Sequence, residues 1–237
     1  MRCLRAQSGQ VAPIVLRVSD DATPASEQAT EQKTEPTVGV GPHPQPWPND
    51  PRLDPELLRD GDRRNVLDHY RYWSMDAIRA DLDTQRHPIH LAVENWEKDL
   101  NLGSIVRTAN AFLVAEVHIV GEKRWNRRGA MVTDRYQDVR HHPSIAAFGE
   151  WIEESGLPVL GIDILPGSQP IETYDLPREC IMFFGQEGPG MSAEAQQLCD
   201  VMLHISQFGS TRSINASTAA GIAMHSWIRR HEFGQIP

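Results

Sequence analysis

The sequence predicts an α/β fold, a mostly parallel sheet carrying helices on both faces. Two observations predict it. From residue 88 onward, short apolar runs of β type alternate with segments of helical periodicity. Polar clusters follow the ends of those runs, where open α/β sheets place their ligands. No fixed-period repeat is visible, which excludes solenoids and propellers.

The elements follow in order. Residues 1–50 are rich in Ala, Thr, Gln, Glu and Pro and end in the run Pro42, Pro44, Pro46, Pro48, Pro51. Few apolar groups there offset the entropy of ordering, so a disordered, Pro-rich arm is expected. Residues 51–87 form a short prelude whose Val66, Leu67, Tyr70, Trp73, Ile78 and Leu82 mix spacings of three and four, a helical pattern. The α/β domain then spans 88–237. Its strands are expected at 89–94, 116–120, 159–164, 180–184 and 201–205, and its helices at 102–113, 145–154, after Met191 and after Ser213.

Composition narrows the class. No apolar run approaches the roughly 20 residues that span a bilayer, so no membrane partner is expected. The three cysteines, Cys3, Cys180 and Cys199, show no CxxC spacing, which points away from disulfides and zinc and toward a reducing cytoplasm. A formal charge of −9 argues against a broad nucleic-acid surface, and the acidity is not confined to the arm: residues 51–237 hold 19 Lys/Arg against 26 Asp/Glu. Any such site must be a local basic patch.

Three polar clusters stand at strand ends. The first is Asn101-Leu-Gly-Ser-Ile-Val-Arg107, opening a helix whose buried stripe is Leu102, Ile105, Ala109 and Phe112. On its own, Arg107 also fits a solvated helix face. The second is Phe184-Gly-Gln-Glu-Gly-Pro-Gly190, a strand running into a glycine turn that permits close backbone approach. Its glycine order reverses the dinucleotide fingerprint and it lacks the P-loop Lys-Ser/Thr, although a plain turn with a solvent-facing Glu187 fits equally. The third, Gly209 to Gly221, passes through Ser213 and Asn215 into an Ala-rich helix. Either residue also serves as an ordinary N-cap.

In this order and spacing, NxGxIxR, FGxEGxG and SxN before an Ala-rich helix, the clusters resemble the three motifs of the SPOUT superfamily, in its SpoU/TrmH branch of RNA ribose 2′-O-methyltransferases. The resemblance covers residues 89–231. It implies a SPOUT methyltransferase domain over 88–237 with a deep C-terminal trefoil knot, an exception to the rule that chains avoid threading, and a homodimer. It also implies S-adenosyl-L-methionine as cofactor, held against the backbone of Gly185, Ile205 and Ile214, and tRNA or rRNA as substrate. Two positions depart from the family pattern. Gln186 stands where Asn, Ala or Ser is frequent, and Ser206-Gln207 replaces Pro-Met.

Methyl transfer from a sulfonium needs no metal and no covalent enzyme intermediate. It needs in-line positioning and stabilisation of charge on the attacking oxygen. The resemblance makes Arg107, Asn101, Glu187, Ser213 and Asn215 the candidate catalytic set. A guanidinium is a poor base, so Arg107 is expected to anchor the ribose and its phosphate, with Asn101 fixing its orientation, Glu187 orienting the polar groups, and Ser213 and Asn215 bonding the nucleotide or the neighbouring loop.

For RNA, the loop 122–129 offers Lys123, Arg124, Arg127 and Arg128 around Trp125, cations for phosphates and a ring for a base. A solvated loop with a packed tryptophan is the plainer reading. His141, His142, His204, His225 and His231 lack metal-ligand spacing, so no metal is expected. Trp96, Trp151 and Trp227 are expected in packing or a dimer contact, and Cys180 and Cys199 in the core. Three other functions compete: a catalytically silent RNA- or ribosome-binding knot protein, a base-nitrogen RNA methyltransferase, and a dehydrogenase. The intact polar set, the ribose-type motifs and the reversed glycine order argue against each in turn.

Overall fold

A computed structural model of the chain describes residues 39–96 and 101–235. Seven strands form one sheet: β1 (His87–Asn95), β2 (Val114–Gly121), β3 (Val139–His142), β4 (Val159–Ile162), β5 (Gln169–Pro170), β6 (Cys180–Phe184) and β7 (Val201–His204). Their order is β3-β2-β1-β6-β4-β7-β5, and every adjacent pair is parallel. The helices are α1 (Pro55–Asp60), α2 (Met75–Asp83), α3 (Asn101–Ala111), α4 (Ile145–Ser155), α5 (Ala193–Gln197) and α6 (Ala216–His231).

The central strands explain the two layers. β6 is a continuous apolar run, and the middle of β1 is nearly so, because both of their faces are covered. Ile89, Leu91, Val93, Cys180, Met182 and Phe184 point to one face, where they pack with Leu102, Ile105 and Ala109 of α3 and Ala220, Met224 and Trp227 of α6. Ala92, Ile181 and Phe183 alternate to the other face, against Phe148 of α4 and Ala195 of α5. Gly103 lets α3 seat on the turn that follows residue 126, since a Cβ there would stand 2.8 Å from Asn126 O, Gly129 Cα and Ala130 N. Gly221 has no such role. A Cβ would meet only Thr108 Cγ2 at 3.9 Å, and it is Ala220 and Ala223 that α6 buries.

Differences from the sequence expectation are local. β3 and β5 were not expected, since the first reads Val-Arg-His-His with an exposed arginine and the second is a two-residue edge. The prelude is not one helical pattern. Gly61, at φ 90, ends α1, and Leu67 stands exposed before a single 3-10 turn at Asp68–Tyr70. The organiser is Asp62, fully buried, which accepts from Arg64 Nε at 2.9 Å, Arg64 Nη2 at 2.7 Å and the amides of Arg64 and Tyr72 at 3.0 Å each. Burial works against ionisation of Asp62, yet these donors outweigh it and hold the carboxyl below its usual range. Residues 1–38 of the expected arm lie outside the described residues. Residues 39–50 are tied to the prelude: Val40 and Asp62 exchange backbone hydrogen bonds of 2.9 Å, and Tyr72 Oη donates to Gly41 O at 2.6 Å. Among the described residues, no helix is long and apolar enough to cross a membrane.

Candidate active site

The carboxyl ends of β6, β4 and β7 converge on one cavity of about 530 Å³, within the roughly 300–1,000 Å³ usual for small-ligand sites. Its floor is the turn 185–190. Gly188 and Gly190 take φ values of 99° and 77°, and Gln186 and Gly190 exchange two backbone hydrogen bonds of 3.1 Å that close the turn. Gly185 is obligatory: a Cβ there would lie 2.2 Å from Met191 N and 2.3 Å from Gly190 C. Two carboxylates that the sequence did not single out fix the exit of the turn. Asp163 Oδ2 accepts from Met191 N at 2.9 Å, and the buried Glu94 accepts from Ser192 N and Trp96 Nε1 at 2.8 and 2.9 Å.

The three motifs meet in a closed set of side-chain hydrogen bonds. Asn101 Nδ2 donates to Glu187 Oε2. Asn215 Nδ2 donates to Asn101 Oδ1 at 2.8 Å and to Glu187 Oε1 at 3.3 Å. Asn215 Oδ1 meanwhile accepts from the amides of Ser217 and Thr218, capping α6. Asn215 is therefore both the N-cap and a member of the set, so the two readings left open by the sequence coexist. One carboxylate receiving both amides is a charge-assisted arrangement, stronger than neutral pairs.

Of the expected residues, Glu187, Ser213, Asn215, Gly185, Ile205 and Ile214 line the cavity. Asn101 is buried behind them. Arg107 stands apart: exposed on α3, about 9 Å along the helix from Asn101, it forms no hydrogen bond or ion pair with any described residue. The amide of Asn101 is committed to Glu187 and Asn215 rather than to orienting Arg107.

The basic loop leaves the same end of the sheet, held there by Asn95 Nδ2, which donates to Glu122 O at 2.6 Å and Arg124 O at 3.3 Å. Lys123, Arg124 and Arg128 are exposed and pair with no described acidic group. Arg127 bonds Asp134 Oδ2 at 3.3 Å and lies over the Trp125 ring, 5.4 Å from its centroid. Trp125 itself packs against the core, so the plainer reading holds for its ring.

Three histidines form a chain across the other sheet face. His90 Nδ1 lies 3.0 Å from His118 Nε2, and His118 Nδ1 lies 2.9 Å from His142 Nε2. His90, Glu116 and His118 bring their ligand atoms within 4.8 Å of one another. The ring centroids are nevertheless 5.3 and 5.2 Å apart, so the facing nitrogens lie nearly in line between the rings, as in hydrogen bonds, rather than converging on a third point. Arg140 Nε already occupies Glu116 Oε1 at 2.9 Å. Burial pushes His90 down to about 4 and His118 to about 2, with Arg140 adding to it on both and the neighbouring imidazoles on His118, so both rings are neutral. Burial raises the Cys180 and Cys199 thiols to about 12, which removes both as nucleophiles. Trp227 and Cys180 are buried in the core, and Trp151 stacks on Phe148.

Residues 88–225 match the model of the SpoU rRNA methylase family. The chain belongs to that family. One relative, an uncharacterized tRNA/rRNA methyltransferase of Synechocystis, is 30% identical over 69% of this chain, a match that spans only 44% of the relative's own length. A tRNA (guanosine(18)-2′-O)-methyltransferase of Thermus thermophilus is 28% identical over 59% of this chain and 74% of its own. Among solved structures, the SpoU methyltransferase AviRb of Streptomyces viridochromogenes, crystallised with the cofactor AdoMet, superposes with a TM-score of 0.57 at 21% identity, covering 65% of this chain and 62% of that one. The mostly parallel sheet thus agrees with the fold that the resemblance implies.

Proposed function

We propose that the chain methylates a ribose 2′-hydroxyl of tRNA or rRNA with S-adenosyl-L-methionine as donor. The observation that carries this is the Asn101–Glu187–Asn215 set closing over a glycine-cut cavity at the strand ends of a SpoU-family domain. The Thermus relative bears the name of a 2′-O-methyltransferase, which supports ribose over base.

The cavity fits such a cofactor. Gly185, free of any side chain, and the half-buried Ile214 and buried Ile205 offer backbone groups and apolar walls to a bent adenosyl group. When bound, the cofactor supplies an activated methyl on a positively charged sulfur. The chain's own residues do the positioning. Glu187 fixes the two asparagine amides, Ser213 offers a hydroxyl at the cavity rim, and Asn215 ties that rim to the start of α6. Arg107, unpaired among the described residues, is the cation that anchors the ribose and phosphate and offsets charge on the attacking oxygen. Lys123, Arg124, Arg127 and Arg128 hold more distant phosphates.

A homodimer, a C-terminal trefoil knot and a cytoplasmic location belong to the same proposal. Exposed Ile222 on α6 supports the first. The return of α6 from the β7 side of the sheet to pack on α3, with Trp227 Nε1 donating to Pro177 O and Arg178 O at 3.1 Å, supports the second. The deciding experiment is transfer of labelled methyl to total RNA from cells lacking the gene, followed by nucleoside analysis. A 2′-O-methylnucleoside is expected; a methylated base, or no transfer to any RNA, would overturn the reading.

A further inference from the structure

The loop between β7 and α6 carries an exposed aromatic side chain beside the cavity mouth. Phe208 is 97% exposed, and Ile164, just beyond β4, is 47% exposed. Both line one open groove of about 390 Å³ that shares Ile164, His204, Ile205, Gln207 and Arg212 with the cofactor cavity. Adjoining exposed apolar side chains of this size mark an interaction site. Arg212, on the same rim, is exposed and pairs with no described acidic group.

The loop has a fixed base and an open tip. Ser206 donates its amide and its hydroxyl to the Glu172 carboxylate at 2.9 and 3.0 Å, and His204 Nδ1 meets Ser168 Oγ at 2.9 Å. Burial of Glu172 works against its charge, but the donors from Ser206 outweigh it and keep the carboxyl below its usual range. At the tip, a Cβ on Gly209 would meet nothing within 4 Å. Phe208 therefore stands in solvent on an anchored stem, lining the open groove beside the cavity mouth.

We propose that this groove receives a nucleobase of the substrate RNA, stacked on Phe208 against Ile164, with Arg212 on the adjoining phosphate. The inference rests on the methyl-transfer reading, because it takes RNA as the ligand. Every nucleobase offers an apolar face for an aromatic ring, and unstacked single-stranded nucleotides are the ones a protein can splay in this way. A purely apolar partner would leave the cation beside it unneutralised, whereas a nucleotide satisfies ring and cation together. The shared wall sets the stacked nucleotide next to the methyl donor's cavity.

The test uses the full chain as wild type, Phe208→Ala and Phe208→Trp. Filter binding of total tRNA and rRNA is measured beside calorimetric titration with S-adenosylhomocysteine and sedimentation of each protein. The alanine variant is expected to bind RNA on the order of tenfold more weakly, with cofactor-product affinity and sedimentation unchanged, and the tryptophan variant to restore binding. Unchanged RNA affinity in the alanine variant would overturn the groove. So would a parallel loss of cofactor-product affinity, which would assign the loop to the cofactor site, or a change in oligomeric state, which would assign it to a protein interface. If the wild type transfers no methyl yet its RNA binding depends on Phe208, the catalytic reading fails and the groove stands. If the wild type methylates RNA and Phe208→Ala binds it equally well, the reverse holds.

Discussion

Glu187 accepts both motif asparagines and so converts three separate turns into one rigid rim. The three side chains of that set include no cation, and Arg107 is the group proposed to supply the charge at the reacting oxygen. Arg107→Lys keeps the charge but loses the planar fork. Turnover in labelled methyl transfer is expected to fall by about 100-fold or more, with S-adenosylhomocysteine affinity intact; near-normal turnover would remove Arg107 from the chemistry. Gly185→Ala places a methyl inside the backbone of Gly190 and Met191. The turn must then move, and cofactor-product affinity measured by calorimetry should drop about tenfold or more, a strain of at least about 1.4 kcal/mol; a full-affinity variant would show that the turn is not the cofactor floor. The glycines answer to local backbone needs, whereas Glu187, Ser213 and Asn215 were legible only through the joint order of the three motifs, since each alone also fits a plain turn or cap. Asp163 and Glu94 were not. Each bonds an amide 28 or 98 residues away, and no local pattern records such a partner.

Among the elements, buried strands were read well and edges poorly, for one reason. β6 and the middle of β1 are covered on both faces and mostly apolar, whereas β3 and β5 stand at the sheet edges and accept Arg140, histidines and proline without a periodic signal. In the prelude the helical pattern is realised in pieces, α1 and α2 carrying helix while the chain between them is organised by one buried carboxylate. Asp62→Ala would strand Arg64 and the Tyr72 amide, a loss of about 3 kcal/mol. Hydrogen exchange should show residues 39–73 deprotected while the β1 and β6 amides keep their protection; uniform protection in the variant would refute the role. In the loop after β2, replacing Lys123, Arg124, Arg127 and Arg128 together by alanine should weaken RNA binding and reduce the slope of log affinity against log salt by up to about four. An unchanged slope would place the phosphate contacts elsewhere.

For the molecule as a whole, the histidine chain links strands β1, β2 and β3 to α4 and ties stability to acidity. His90, His118 and His142 all titrate below 6.5 in the fold, chiefly through burial, with Arg140 adding to the effect on each. The unfolded chain therefore takes up their protons first. The stability they contribute is complete above about pH 6.5, erodes as the pH falls toward 4, and continues to fall toward 2. Carboxylates titrate below this upper window, so a fall in the melting temperature between pH 7 and 5 belongs to the imidazoles. A constant melting temperature across that interval would contradict the neutral chain.

The closed polar set also bears on when the molecule acquires its site. Asn101 and Glu187 are 86 positions apart along the chain, and Asn101 and Asn215 are 114 apart. Bonds of such high contact order form late, after the entropy of closing long loops has been overcome. The rim is therefore expected to close only as α6 docks, and a chain caught partway through synthesis or refolding would hold the sheet without it.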